Sequence, residues 1–192
     1  MTVSAVLQAL RAATAEQHRA IEIEAQVEAR LRDPRRRSVM LARLHRLHAA
    51  VERAVAPWSA TMAALGHAPQ PRSPAIAAGL RLLGAVPPSP PDPPALASLG
   101  EAMGWTYVAD GSALGGRVMR RAMIADGIDL AGLDFLDPHG DEVGPRWRAF
   151  LTAMDRACAA GQARPADVVR GGRDAFTLAA ELLGGAAYAE FA

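Results

Sequence analysis

Tyr107-Val108-Ala109-Asp110-Gly111-Ser112-Ala113-Leu114-Gly115-Gly116-Arg117-Val118 is the stretch on which the reading of the fold turns. Apolar residues recur at helical steps from Ala95 to Ile124, so the stretch is predicted to be helical in spite of Gly111, Gly115 and Gly116. Each glycine costs about 1 kcal/mol against alanine in a helix interior. Three of them need a reason. One is a kink with a bare face, which lets something flat and large approach the backbone. The other is close helix–helix packing, or a helix broken in two. Composition alone leaves the two readings level.

Working outward, the pattern stays helical on both sides. A first helix is expected from about Ser4 to Arg32, with Val3, Leu7, Leu10, Thr14, Ile21 and Ala25 on one stripe. Asp33-Pro34 ends it, because a residue before proline avoids the α region. A second helix should run from about Ser38 to Leu65, with Met40, Leu44, Leu47, Val51 and Val55 facing inward and Pro57 kinking or dividing it. A short helix is expected around Ile76 to Leu83. Residues 87–94, with six prolines, form a semi-rigid connector, read as a loop inside one domain spanning residues 1–192. Residues 126–145 read as loop with a short helical turn. Trp147, Phe150, Leu151, Met154 and Cys158 mark another amphipathic helix, and Val168, Val169, Phe176, Leu178, Leu182 and Leu183 the last. No alternating strand pattern and no internal repeat occurs. The expectation is an all-α, single-domain helical bundle.

Composition narrows the function classes. Twenty-one basic residues against twenty acidic ones leave a net charge of +1 over 192 residues, which argues against a nucleic-acid binder. No apolar run approaches the roughly 20 residues that span a bilayer. Residues Met1 to Arg11 lack the pattern of a signal peptide, and the single cysteine, Cys158, excludes an internal disulfide and a cysteine-based zinc site. A cytoplasmic location is expected. Every basic residue is arginine, so any anion site must use the planar guanidinium fork.

Three features carry possible chemistry. His18 falls on the stripe of the first helix, with Arg11 within about 20° of it at 100° per residue. Glu22, one turn later, reaches the same imidazole. Spacing alone favours a half-buried histidine satisfied by Glu22; the sharper reading is a metal ligand whose second ring nitrogen is held by that carboxylate. The glycine-rich helix is the second feature. The third is Phe135-Leu136-Asp137-Pro138-His139-Gly140 followed by Trp147-Arg148-Ala149-Phe150, where Arg146 and Arg148 flank a tryptophan and can grip a carboxylate at a pocket mouth, or simply form a solvated face. His45 and His48 lack a third ligand, and His67 and His139 sit in loops without partners. No P-loop, dinucleotide fingerprint, HExxH or GxSxG sequence is present.

Together these stretches resemble the heme oxygenase family, in particular its bacterial branch found alongside bacteriophytochromes. Leu10 to Glu22 looks like the proximal helix of that family, Tyr107 to Val118 like its kinked, glycine-rich distal helix, and Phe135 through Phe150 like the segment after it. The resemblance implies that His18 is the proximal ligand to heme iron, with Glu22 behind it. It implies that Gly111, Gly115 and Gly116 let the distal backbone press on the heme face, directing oxidation to one meso carbon. The reaction would open heme to biliverdin, releasing iron and carbon monoxide. Heme would be both cofactor and substrate, with molecular oxygen consumed and electrons drawn from a separate reductase or ferredoxin. A bacteriophytochrome would be a possible acceptor of the biliverdin. Arg11 would meet a heme propionate, with Arg146 and Arg148 as further anchors. Ser112 stands where many family members carry a carboxylate. The alternative is a protein of the same fold that holds heme or another tetrapyrrole without turnover. The thiaminase-like branch, which uses a catalytic cysteine or carboxylates, is a more distant rival.

Overall fold

Eight α-helices form the protein in the computed structural model, which describes residues 4–184. Val3, placed on the first stripe above, lies outside the described residues. The helices are α1 (Ala5–Ala25), α2 (Val27–Arg32), α3 (Pro34–Val55), α4 (Ser59–Ala64), α5 (Ser73–Leu82), α6 (Leu99–Ala125), α7 (Val143–Ala159) and α8 (Pro165–Leu183). Short 3-10 turns at Ala56–Trp58, Asp134–Leu136 and Gly140–Glu142 fill the joints. No strand occurs among the described residues. No helix of the described residues is long and apolar enough to cross a membrane.

Local chemistry sets the helix ends. Ser4 caps α1 by accepting from the Leu7 amide, and Ser98 caps α6 by accepting from the Glu101 amide. Asp33 ends α2 and caps α3, and Pro34 occupies the first turn of α3, where a missing N–H costs nothing. The second helix therefore starts at Pro34, four residues earlier than its apolar pattern indicates. Pro57 divides it rather than kinking it, since a 3-10 turn separates α3 from α4. The expected first helix is divided as well, at Gln26, whose backbone is left-handed (φ 43°).

One apolar cluster takes residues from both sides of the proline run, among them Leu10, Met40, Leu80, Met103, Phe150 and Val168. The tightest joint is the crossing of α6 and α8. A Cβ on Gly104 would lie 2.3 Å from the Val168 carbonyl oxygen and 2.4 Å from the Gly172 amide nitrogen, and one on Gly171 would lie 2.3 Å from the Glu101 carbonyl oxygen. Backbone touches backbone there. Arg170 bonds Glu101 at 2.6 Å and Asp167 at 2.8 Å, tying the same ends of the two helices. Through Gly111, Gly115 and Gly116 α6 stays helical.

Candidate functional site

Between α1 and the second half of α6 lies a cleft of about 880 Å³, closed at its sides by α3, α7 and α8. That is near the upper end of the roughly 300–1,000 Å³ usual for small-molecule pockets. Its wall is mostly apolar, with Leu44, Leu47, Val51, Phe135, Trp147 and Phe176. Polar groups are few and placed at particular points.

His18 stands on the α1 wall. The buried stripe of α1 stops at Thr14 and resumes at Ala25, because between them the helix borders the cleft instead of the core. The His18 side chain is consequently 56% exposed, not half-buried as its place on the stripe indicates. Its Nδ1 lies 3.5 Å from Glu22 Oε1, and its ring meets the edge of Phe176 at 5.7 Å between centroids. With Nδ1 turned to Glu22, Nε2 is the nitrogen left for a ligand. Arg11 lies on the same wall.

The glycines of α6 divide by what surrounds them. A Cβ on Gly115 would meet nothing within 4 Å, and one on Gly111 would meet only the Trp147 ring at 3.6 Å. Gly116, which also borders the cleft, is crowded where Gly115 is not: its Cβ would lie 2.5 Å from the Leu136 carbonyl oxygen. The helix is not broken in two at these glycines, which differ in what a side chain would meet. Gly115 presents bare backbone to the cleft, and Gly116 permits close packing.

Ser112 lines the cleft, yet its hydroxyl is committed. It donates to the Ala109 carbonyl at 2.7 Å and accepts from Arg72 Nη1 at 2.6 Å. Arg72 is the residue that sequence reasoning missed. It is buried, lines the cleft and donates from Nη2 to the Phe135 carbonyl at 2.9 Å. Burial lowers its pKa to about 10, opposed by Asp110 and Glu52, which leaves it charged at neutral pH. His48, also buried, borders the cleft too, and burial first, then Arg72 and His45, hold it well below the usual histidine range.

Other expectations change. Arg146 and Arg148 are not among the cleft-lining residues. Arg146 donates to the Ala68 carbonyl at 2.9 Å, and Arg148 sits one turn from Gly144 on the outer face of α7, while Trp147 between them turns inward. Arg146 and Arg148, two positions apart, point about 160° away from each other around the helix, so with Trp147 turned inward both lie to its sides. His67 is not partnerless: its Nε2 lies 2.9 Å from Asp110 Oδ2, and its ring packs on Phe150 at 5.2 Å. Cys158 does not line the cleft, and burial, then Asp155, raises its pKa, so it has no thiolate character there. No cluster of three metal-ligating side chains occurs among the described residues.

No protein-family model matches the chain. Over 140 residues the chain is 33% identical to a heme oxygenase of Xanthomonas campestris pv. campestris (strain 8004), a match covering 71% of this chain and 82% of the relative. Its fold is similar to that of the NO- and CO-bound heme oxygenase from Neisseria meningitidis, with a TM-score of 0.71 and 24% identity, over 91% of this chain and 87% of that one.

Proposed function

Since the chain belongs to the heme oxygenase family, we propose that its cleft takes heme as substrate and opens it to biliverdin, with release of iron and carbon monoxide. The observation that supports the site most directly is the pairing of His18 with bare backbone at Gly115 across one apolar cleft. A flat apolar macrocycle with two carboxylates suits such a wall with an arginine on it. Bound heme supplies both the iron at which dioxygen is activated and the carbon bridge that is oxidised. His18 Nε2 would hold the iron, and Glu22, whose Oε1 lies 3.5 Å from Nδ1, would orient the ring. Arg11 meets a propionate. The α6 backbone at Gly111 and Gly115 would lie against the bound group across the cleft from His18. Electrons come from a separate reductase or ferredoxin, because the sequence carries no dinucleotide fingerprint. The resemblance to bacteriophytochrome-associated members points to such a photoreceptor as biliverdin acceptor.

Addition of hemin, then of a reductant under oxygen, tests the reading. A Soret band that decays as biliverdin appears supports it; a stable band means a binder without turnover, and no band defeats both.

Gly115→Leu separates site from scaffold. The side chain enters open space, and leucine is worth nearly 1 kcal/mol more than glycine in a helix, so thermal stability should not fall. Hemin affinity should drop at least tenfold, because the side chain occupies the cleft. Unchanged hemin binding and turnover in this variant would remove Gly115 from the heme face.

Arg11→Ala should weaken hemin affinity by about one to two decades, from a charge-assisted contact of about 1–3 kcal/mol. The loss should shrink at high salt, where screening already weakens the wild-type contact. The Soret maximum should stay in place, since His18 is retained. Affinity equal to wild type at low salt would exclude Arg11 and, with Arg146 and Arg148 off the cleft wall, leave Arg72 as the arginine that lines it.

A further inference from the structure

Tyr107 on α6 and Trp147 on α7 both line the cleft, and their rings lie 5.5 Å apart between centroids, tilted by 45°. Phenol and indole are, with thiols, the side chains that give up a single electron most readily. Among the described residues that line the cleft, these two rings are the only ones of either type, and Cys158 does not reach it. Phe135 and Phe176 on the same wall have rings far harder to oxidise. Both Tyr107 and Trp147 are partly exposed, and the Trp147 ring is what a Cβ on Gly111 would meet, at 3.6 Å.

The ring contacts continue inward from this pair. Trp147 meets Phe150 at 5.5 Å, and Phe150 meets His67 at 5.2 Å. Both Phe150 and His67 are buried, and neither ring gives up an electron as readily as phenol or indole. An electron vacancy on the pair is therefore confined to Tyr107 and Trp147, beside the cleft. Packing alone requires only flat apolar rings, which phenylalanine supplies elsewhere on the wall. The wall also has something to lose: Met119 lines it, and oxidation turns its apolar thioether into a polar sulfoxide.

We propose that Tyr107 and Trp147 form a one-electron donor pair that drains oxidising equivalents from the cleft, which gives the protein a second activity, the reduction of hydrogen peroxide. The proposal rests on the heme reading above. Peroxide is the oxidant, and the electrons reach it through the bound group, which ends in the oxidation state in which it began. Tyr107 loses one electron and its O–H proton, and Trp147 one electron and its N–H proton. These two electrons and two protons break the O–O bond of one peroxide. The products are two molecules of water, a phenoxyl radical and an indolyl radical. The external donor that serves heme opening returns two electrons, and water returns two protons, which restores both rings.

Transfer within the pair is measured without hemin. In the ligand-free protein, azide radical made by a radiolysis pulse oxidises tryptophan. The tryptophan radical should decay as a tyrosyl radical grows, at a rate independent of protein concentration. In Tyr107→Phe and in Trp147→Phe this growth should fall several-fold, whereas Trp58→Phe, off the cleft wall, should leave it in place. Absence of the growth in the wild type, or its survival in both cleft variants, would overturn the pair. With hemin bound and hydrogen peroxide added, rapid freezing and electron paramagnetic resonance should show a protein radical. Its yield should be at least tenfold lower in the double variant Tyr107→Phe, Trp147→Phe at equal hemin loading, and an equal yield there would defeat the drain. Should the double variant fail to fold, the single variants carry the same test, each removing the signal of its own ring. Absence of hemin binding by the wild type would instead defeat the heme reading, and the drain with it, while the transfer seen in the ligand-free protein would stand.

Discussion

Replacement of His18 by alanine is expected to leave the protein folded and to remove the histidine signature from its hemin spectrum. The side chain is more than half exposed, and its contacts are Glu22 at 3.5 Å and the edge of Phe176. Exposed substitutions usually change stability by within about 0.5 kcal/mol, and alanine is the best helix former, so the melting temperature should hold. Loss of only the outer partner of a metal-bound histidine costs about 10–100-fold in affinity, and loss of the ligand itself should cost more. Added imidazole should restore the spectrum by filling the space. The structure names the rival. His48 also borders the cleft, whereas His45 does not. A native spectrum in His18→Ala without imidazole, together with its loss in His48→Ala, would move the iron to α3.

The largest stability loss is expected from the addition of one methyl group at Gly104. The new Cβ would lie 2.3 Å from the Val168 oxygen, 2.4 Å from the Gly172 nitrogen and 2.7 Å from the Gly171 carbonyl carbon. All three are backbone atoms, so no rotamer change relieves the clash and the two helices must separate. Overpacking of a closed core costs about 1–3 kcal/mol, and both sides here are rigid. For a chain of this size, Gly104→Ala should lower the melting temperature by roughly 5–10 °C. At an open helical glycine the same change is stabilising by up to about 1 kcal/mol. A melting temperature at or above wild type would mean that α6 and α8 do not meet at this point.

Local signals made most of the helices readable. Proline, serine and aspartate at the ends of α1, α3, α5 and α8 act on residues one to four positions away, and the apolar stripe of α3 from Met40 to Val55 is buried as its period requires. The break at Gln26 carries no such signal: neither glycine nor proline marks it, and glutamine enters the left-handed region only because the α1–α2 corner demands it. Gly104 carries no local signal of its role either, because its partners Val168, Gly171 and Gly172 are more than sixty positions away. Arg72 was hidden for the same reason. It sits among prolines, in a segment that reads as loop, and its partners Ser112 and Phe135 come from α6 and the turn after it. His18 and Glu22 were legible because one helical turn joins them. Arg146 and Arg148 misled because a basic pair around a tryptophan says nothing of which residue turns inward.

The glycine seam between α6 and α8 makes α6 a beam anchored at one end. Beyond the anchor at Gly104, eleven residues or about 16 Å of helix run to Gly115 before bare backbone meets the cleft. A tilt of about 5° at the anchor moves that point by more than 1 Å over such a span. On its far side the beam rests against the Leu136 carbonyl at Gly116, and the neighbouring Phe135 carbonyl is held by Arg72. The aperture over His18 is therefore set by the prop, and the anchor stays put. Substitution of Asp134, which belongs to the turn at Asp134–Leu136 but does not line the cleft, would retune which macrocycles are admitted while leaving the cleft wall residues Phe135 and Leu136 in place.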